Sequence, residues 1–197
     1  MRKKDEKLHE ERKALILDKA LDCFIQNGIH VTSIQQICSA SNLSPGQMYR
    51  FFGSKDEIIE GLAELEQRDT SEFIEYLQEN SKNVKSAIFN VTRDLITLLT
   101  DKTYALAVLE FSAESSRNES VAKHFRGGEL RLVQAIEIAI DESRKNGTVD
   151  KKVDTKSTAF LIMAMMDGIA FRSATLDKVD KKSIEKAFKQ ALDGLLS

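Results

Sequence analysis

The sequence predicts an all-α protein, because both its turn-forming residues and its apolar periodicity favour helices. One proline, Pro45, and nine glycines in 197 residues are too few for the turns of a many-stranded sheet. Apolar residues make up 42% of the chain and recur at helical spacing nearly everywhere. The formal net charge is −2 although 30% of residues are charged, which excludes intrinsic disorder and a polybasic nucleic-acid coat protein.

The same composition bounds the compartment and the redox chemistry. Cys23 and Cys38 lie in apolar helical stretches without metal-ligand spacing, so we expect two small buried hydrophobic residues. The charged N-terminus leads into more charge, which does not fit a signal peptide. The longest apolar run, residues 159–166, is eight residues, whereas a membrane span needs ~18. We expect a cytoplasmic protein without a membrane partner.

Local signals place the helices in order. The first helix carries Ile16, Ala20 and Phe24 on one face and ends at Gly28, where a left-handed residue is needed. Three helix starts follow, each a hydroxyl with Gln or Glu three residues later, which predicts capping boxes. These pairs are Thr32 with Gln35, Ser44 with Gln47, and Ser54 with Glu57. They predict short helices over about 33–39 and 45–52, with Pro45 at the first helical position.

Longer amphipathic helices are predicted after residue 54. Their apolar spacing and the polar breaks between them place them at about 55–80, 83–100, 104–115, 119–146, 154–176 and 181–196. The sequence therefore predicts about nine helices in all.

Residues 32–55 have the layout of a helix-turn-helix, in which the second short helix enters the major groove of DNA. Asn42 lies where the turn needs a left-handed residue. In the candidate recognition helix, Gln47 can bond bidentately to adenine and Arg50 to guanine or phosphate, while Gly46 allows a close backbone approach. Tyr49 can reach a phosphate through its hydroxyl.

The charge pattern favours DNA as the partner of this segment. Residues 23–55 contain no Asp or Glu, although the chain has 31 acidic residues. A carboxylate facing phosphates would repel them, so an acid-free surface suits an anionic duplex. A compact three-helix packing unit without a ligand remains the alternative at this point.

The residues between 16 and 57 form a longer pattern, Ile16-Leu17-x-x-Ala20-Leu21-x-x-Phe24, Gly28, Thr32-Ser33-Ile34-x-x-Ile37 and Leu43-Ser44-x-Gly46-x-x-Tyr49-Arg50-x-Phe52-x-Ser54-Lys55-Asp56-Glu57. This pattern closely resembles the DNA-binding domain of TetR/AcrR-type transcriptional regulators over about 45 residues. Cys38 and Asn42 depart from the usual alanine and glycine. The resemblance implies a homodimer in which the first three helices bind operator DNA. It also implies that helices four to seven bind a small effector and helices eight and nine form the dimer interface.

We therefore expect a helix-turn-helix DNA-binding domain over residues 1–54 and a ligand-binding and dimerisation domain over residues 55–197. By the resemblance, Ser33 would contact phosphate, Gly46 and Gln47 would face bases, Tyr49 and Lys55 would hold phosphates, and Arg50 could do either. The expected DNA-binding residues are Thr32, Ser33, Ser44, Pro45, Gly46, Gln47, Tyr49, Arg50 and Lys55.

The effector pocket and the dimer interface are inferred from the apolar faces of the later helices. Aromatic residues and methionines with a few polar groups typify small-molecule pockets, and here they are Phe89, Arg93, Ile96, Tyr104, Phe111, Phe160, Met163 and Asp167. Alternatively, Arg93 and Asp167 face solvent or pair with each other. Apolar stripes on the last two helices predict a two-fold interface of Ile162, Met165, Ile169, Ile184, Phe188, Ala191, Leu192 and Leu195.

The expected function is a sequence-specific transcriptional regulator, a homodimeric repressor released from an inverted-repeat operator by a small, largely apolar effector. An activator of the same family is an alternative, as is a helical small-molecule-binding protein without DNA function. His9, His30 and His124 are scattered, and neither a nucleophile elbow nor a phosphate-binding glycine loop is present. We therefore expect no enzyme, no metal and no cofactor.

Overall fold

A computed structural model describes the backbone of residues 2–197 and the side chains of residues 7–68, 70–80 and 82–197. The backbone of residues 2–197 forms nine α-helices and no strand, which confirms the all-α prediction. The helices are α1 (Arg2–Asn27), α2 (Ile34–Ala40), α3 (Pro45–Met48), α4 (Lys55–Glu79), α5 (Val84–Leu99), α6 (Lys102–Ser115), α7 (Glu119–Asn146), α8 (Thr155–Thr175) and α9 (Lys181–Leu195). A short 3-10 turn, Ser81–Asn83, precedes α5.

The observed helix ends follow the local signals closely. The last six helices begin and end within two residues of their predicted bounds. Gly28 and Asn42 both adopt the left-handed conformation, with φ of 86° and 53°, which ends α1 and turns the chain between α2 and α3. Both cysteines are buried, as expected.

Two local predictions need correction. The capping box of α2 is formed by Ser33 with Gln36, one residue later than the predicted pair. The helix α3 stops at Met48 instead of Phe52, because the amides of Arg50 and Phe51 bond to carbonyls only three residues back.

The chain folds into two compact units. The first unit combines the residues up to Glu66 with Glu110–Phe125, and the second combines Gln67–Leu109 with Arg126–Ser197. The helices α4, α6 and α7 each contribute residues to both units. These limits differ from the predicted domains, so the boundary at residue 54 stays a prediction about how functions divide.

The core of the first unit packs α1, α2, α3 and the start of α4 against residues from the second stretch of the unit. The ring of Phe24 meets that of Phe111 edge-on, with centroids 6.3 Å apart, and Phe111 contacts Phe125 at 4.6 Å. The fully or nearly fully buried members include Ile16, Phe24, Ile37, Met48, Phe52, Ile58, Phe111 and Val121.

The core of the second unit is mostly aliphatic and comes from α4, α5, α7, α8 and α9. Its most buried members include Ile88, Ile96, Ile140, Ile162, Met166, Phe188 and Leu192. Burial of such side chains is the main source of folding free energy. Among the described residues, no helix is both long and apolar enough to cross a membrane.

Candidate nucleic-acid interface

The helices α2 and α3 begin with matching capping boxes of serine and glutamine. The Oγ atoms of Ser33 and Ser44 each accept a hydrogen bond of 3.3 Å from the amide three residues later. The Oε1 atoms of Gln36 and Gln47 accept in return from the serine amides, at 2.7 and 2.9 Å. Both helix starts are therefore fixed without a carboxylate.

The side chain of Gln47 is partly committed to this cap. Its Oε1 also accepts from the Ser44 hydroxyl at 3.1 Å, so both lone pairs of that oxygen have donors. A bidentate contact to adenine needs this oxygen as an acceptor. In this conformation the cap engages the oxygen that the predicted bidentate contact needs, while the Nε2 amino group lies outside the capping box. The DNA contact of Gln47 stays a prediction.

The outer face of residues 44–50 is open. Tyr49 is 55% exposed, whereas Met48 next to it is fully buried and anchors the segment in the core. No atom lies within 4 Å of the position that a Cβ at Gly46 would take. Ser44, Pro45, Gly46, Gln47 and Arg50 are likewise exposed, and Ser33 is half-buried.

Thr32 does not belong to this surface. Its residue is 1% exposed, and its hydroxyl donates to the carbonyls of Gly28 at 2.8 Å and Cys23 at 3.2 Å. A buried hydroxyl with both acceptors inside the chain closes the loop between α1 and α2. The predicted DNA contact of Thr32 is corrected accordingly.

Lys55 is also engaged within the chain. Its Nζ donates to the carbonyl oxygens of Ile29 at 2.8 Å, His30 at 3.2 Å and Thr32 at 3.1 Å. An ammonium group has three N–H donors, and three carbonyls accept them. Lys55 therefore has a role in holding the loop, and its phosphate contact stays a prediction.

Two carboxylates outside the predicted site stabilise the first unit. The Oε1 of Glu110 accepts from the amide of Ile29 at 2.7 Å. Glu114 is 1% exposed and accepts from Arg117 at 2.7 Å and from Asn118 at 3.0 Å. The available signal was that Glu110 and Glu114 interrupt an apolar helical run.

Burial and hydrogen bonding act in opposite directions on Glu114. Burial by itself raises the pKa of a carboxyl group, but hydrogen bonds from Asn118 and Arg117 favour the charged form. The bonds prevail and lower the pKa of Glu114 below its ordinary value. Glu114 is therefore a charged anchor of the turn between α6 and α7.

The predicted pocket residues do not converge on one site. Phe111 lies in the core of the first unit, so its assignment to the pocket is corrected. Phe160 is 69% exposed on α8 and is corrected in the same way. Phe89, Tyr104 and Met163 pack against the second core, in which Ile96 is fully buried.

The two charged members of the predicted pocket face solvent. Arg93 is exposed and its Nε lies 3.3 Å from the Oδ1 of the neighbouring Asp94, so it pairs there and not with Asp167. Asp167 is exposed on α8, although surrounding protein atoms partly shield its carboxyl group and raise its pKa. These positions match the alternative in which both charges are outside a pocket.

A small cavity lies inside the second unit. Its volume is about 10 Å³, which is about the room that a single water molecule needs. The lining residues come from α4, α5, α7 and α8, and Met163 is the predicted pocket residue among them. They are Leu77, Ile88, Val91, Thr92, Leu95, Leu132, Ile136, Ile162, Met163 and Met166.

Three of the eight residues predicted for the dimer interface need correction, and the other five stay predictions. Ile162, Phe188 and Leu192 are 0%, 4% and 1% exposed, because they fill the core of their own chain. Met165, Ile169, Ile184 and Leu195 pack partly against that core, and Ala191 is half-buried. The large apolar side chains that α8 does expose are Phe160, Leu161 and Phe171.

Comparison with known proteins identifies the family. Residues 16–62 match the model of bacterial regulatory proteins of the tetR family. Residues 91–197, more than half of the chain, match the C-terminal model of BetI-type transcriptional repressors. The HTH-type transcriptional regulator UidR of Escherichia coli K12 is 22% identical over 184 residues, which cover 92% of this chain and 91% of that protein.

Solved structures show the same fold. GusR of Salmonella enterica matches with a TM-score of 0.75 and 25% identity, over 94% of this chain and 95% of that one. FadR of Bacillus subtilis, solved in complex with stearoyl-CoA, matches with a TM-score of 0.76 and 18% identity, over 93% and 99% of the two chains. The matched families consist of transcriptional regulators and not of enzymes. This chain belongs to the tetR family of bacterial regulatory proteins.

Proposed function

We propose that this regulator represses transcription by binding operator DNA through α2 and α3, and that a small molecule bound in the second unit releases it. The observation that carries DNA binding is the exposed surface of residues 33–50, which lies inside an acid-free stretch of 33 residues. Duplex DNA carries one negative charge about every 1.7 Å of its axis, so any carboxylate here would oppose binding. Membership of a family of transcriptional regulators supports the same role.

The proposed contacts are the exposed residues of this surface. Ser33, Ser44 and Tyr49 are proposed to hold phosphates, while Gly46 and the Nε2 group of Gln47 face bases. Arg50 can serve either role, since its guanidinium matches both guanine and phosphate. Pro45 supports the set by starting α3 without an amide that would need a partner.

The exposed face of α8 supports dimerisation. Phe160, Leu161 and Phe171 are 69%, 45% and 49% exposed, which is unusual for three large apolar side chains on one helix. Gly168 lies between them, and a Cβ there would meet no atom within 4 Å. A second copy packed on this face by two-fold symmetry would present two recognition segments to an inverted repeat.

The cavity of the second unit supports an effector that is largely apolar. Its single polar side chain, Thr92, donates its hydroxyl to the carbonyl of Ile88 at 2.8 Å and has no proton left for a ligand. Since the cavity has room for about one water molecule, an effector must push the lining side chains apart. Met163 and Met166 are suited to this, because unbranched side chains readily change rotamer.

Selection from random duplexes with the full-length protein tests the DNA-binding proposal. We expect enrichment of an inverted repeat and an affinity that falls steeply with salt, through release of counterions. Enrichment of no sequence, or an affinity insensitive to salt, would contradict the proposal. The position of the genomic match relative to its promoter then separates repression from activation.

Removal of one arginine locates the interface. Arg50→Ala should weaken binding to the selected duplex by about 1–3 kcal/mol, because a guanidinium facing DNA is lost. Arg93→Ala removes the same charge from the exposed surface of α5 and should leave the affinity unchanged. Equal losses in both variants would place the interface elsewhere.

A further inference from the structure

The loop between α1 and α2 is held by two charged side chains from helices outside the helix-turn-helix. The amide of Ile29 donates to Glu110 of α6 at 2.7 Å, and the carbonyl of the same residue accepts from Lys55 of α4 at 2.8 Å. Both polar atoms of one backbone residue are therefore held by opposite charges. We call this arrangement the Ile29 clamp.

The surrounding loop is built to keep Ile29 in this place. Gly28 takes a φ of 86°, which turns the chain, and a Cβ at this position would lie 3.4 Å from the Oε1 of Glu110. The side chain of Ile29 is 1% exposed and anchors the loop in the core. Thr32 ties the far end of the loop back to α1 through its hydroxyl. The loop is thus held by hydrogen bonds at Ile29 and Thr32 and by the buried side chain of Ile29.

The Ile29 clamp lies directly upstream of the proposed DNA-binding surface. The loop ends at Thr32, three residues after Ile29, and Lys55 bonds to the carbonyl of Thr32 as well. The next residue, Ser33, caps α2. Hydrogen bonds to charged groups are stronger than those between neutral groups, so the two bonds fix where α2 begins. The start of α2 in turn fixes the turn at Asn42 and the position of α3.

Glu110 lies where α6 passes from the second unit into the first. Residues 102–109 of this helix belong to the second unit, and Glu110 is the first residue that belongs to the first unit. A displacement of α6 along or about its axis would move this carboxylate away from the Ile29 amide. The bond depends on one oxygen at 2.7 Å, and such bonds weaken steeply as distance and alignment change.

We propose that Glu110 is a positioning residue for DNA binding. Through the Ile29 clamp, its carboxylate holds the start of α2 in the conformation that binds DNA, and withdrawal of the carboxylate lowers the affinity for the operator. Glu110 acts through Ile29 and contacts no DNA itself. This inference rests on the proposed DNA-binding function.

The direction of the change in DNA affinity distinguishes a positioning role of Glu110 from a purely electrostatic one. Removing an acidic side chain from a DNA-binding unit should strengthen binding if charge alone matters, because repulsion of the phosphates falls. Loss of the Ile29 clamp should weaken binding instead. The test compares Glu110→Ala, which removes the acceptor, with Glu110→Gln, which keeps an acceptor oxygen without the charge. Asp94→Ala on α5 is the control with the same change in net charge.

Two measurements on the full-length protein decide the matter. For Glu110→Ala we expect the Ile29 amide to exchange with deuterium at least about 10-fold faster, as the loss of a charged hydrogen bond implies. The affinity for the duplex selected with the wild-type protein should fall by about 5- to 10-fold. In both measurements Glu110→Gln should lie between the wild type and Glu110→Ala, and Asp94→Ala should match the wild type.

Several outcomes would overturn the proposal. Unchanged or tighter DNA binding by Glu110→Ala, with wild-type protein that binds, would remove the positioning role alone. If that variant does not fold, Glu110→Gln with wild-type affinity and wild-type Ile29 exchange would do the same. Wild-type protein that selects no duplex would overturn the proposed function, and the positioning role with it.

Discussion

The two compact units are stabilised in different ways. In the first unit, charged and hydroxyl side chains bond to specific backbone atoms, as Lys55, Glu110 and Thr32 do around the loop between α1 and α2. The second unit has a core of aliphatic side chains around a small cavity. It also has a charged side chain bonded to the backbone, Arg144 to the carbonyl of Lys151 at 2.7 Å, but this bond lies outside that core.

This difference suits the two proposed roles. A hydrogen bond demands a particular distance and direction, so a network of them specifies one geometry. Aliphatic contacts tolerate rearrangement as long as total volume is kept. The first unit is therefore suited to match a fixed partner such as DNA, and the second is suited to reshape around a ligand.

The largest expected effect is on the stability of the second core. Ile140→Ala should lower the free energy of unfolding by about 2–5 kcal/mol, because it removes a fully buried side chain and leaves a cavity. Ile140 is 0% exposed, whereas Ile138 on the same helix is 56% exposed. Ile138→Ala should change stability by less than about 0.5 kcal/mol. Urea unfolding measures both, and equal losses would contradict the assignment of the core.

The next effect is on DNA affinity. Gln47→Glu keeps the capping box, since glutamate serves equally well at that position, but it places a negative charge on the proposed DNA surface. Like-charge contacts cost several kcal/mol, so affinity should fall by about 100-fold. Gln134→Glu makes the same chemical change on the exposed surface of α7 and should have no effect. Anisotropy with the selected duplex compares them, and a tolerated Gln47→Glu would argue against the surface.

The third effect concerns the exposed face of α8. Phe171→Asp should weaken dimerisation by about 30-fold, because a buried aromatic anchor is typically worth about 2 kcal/mol. Leu98→Asp, at a residue 36% exposed on α5, is the matched control. Sedimentation velocity over a range of concentrations reports the monomer–dimer balance. A wild-type dimer that persists in Phe171→Asp would exclude this face.

The smallest effect is the pH dependence that Glu114 contributes. The pKa of Glu114 is lowered in the folded state. Its contribution to the free energy of unfolding is therefore complete above the unfolded pKa of 4.5 and is lost as the pH falls through the lower pKa of the folded state. Glu114→Gln should lose this part of the acid sensitivity. Asp141 in the second unit also has a lowered pKa, chiefly through a hydrogen bond from Thr155. Part of the acid sensitivity should therefore remain in Glu114→Gln. Identical profiles of the free energy of unfolding against pH for the variant and the wild type would contradict the contribution of Glu114.

The fold was predictable wherever the signal is local. Helix ends depend on caps, glycines and the periodicity of a few residues, and so the last six helices lie within two residues of their predicted bounds. The end of α3 was missed because tight turns beyond Met48 carry no distinct sequence signal. Apolar periodicity also shows which face is buried but not what covers it, which is why Ile162 was assigned to a second copy and not to its own core.

The site was predictable only as a surface. The acid-free stretch and the Ser44–Gln47 cap are visible in the sequence, and they locate residues 44–50, which are exposed except for Met48. The cap of α2 was placed one residue too early, at Thr32 instead of Ser33. The roles of Thr32 and Lys55 were not predictable, because their partners are set by tertiary structure. Lys55 bonds to carbonyls 23 to 26 residues upstream, and Glu110 bonds to an amide 81 residues away.

The shared helices have a consequence for recombination and for engineered sensors. Residues 110–125 supply Phe111 and Val121 to the core of the first unit, although most of α6 and α7 belongs to the second. A chimera that joins two relatives at residue 54 would import a foreign turn between α6 and α7 into the DNA-binding core. Exchanging residues 67–109 together with 126–197 keeps that core native. The transferable module of this chain is therefore discontinuous in sequence, and grafts that respect this should retain their operator while acquiring a new inducer.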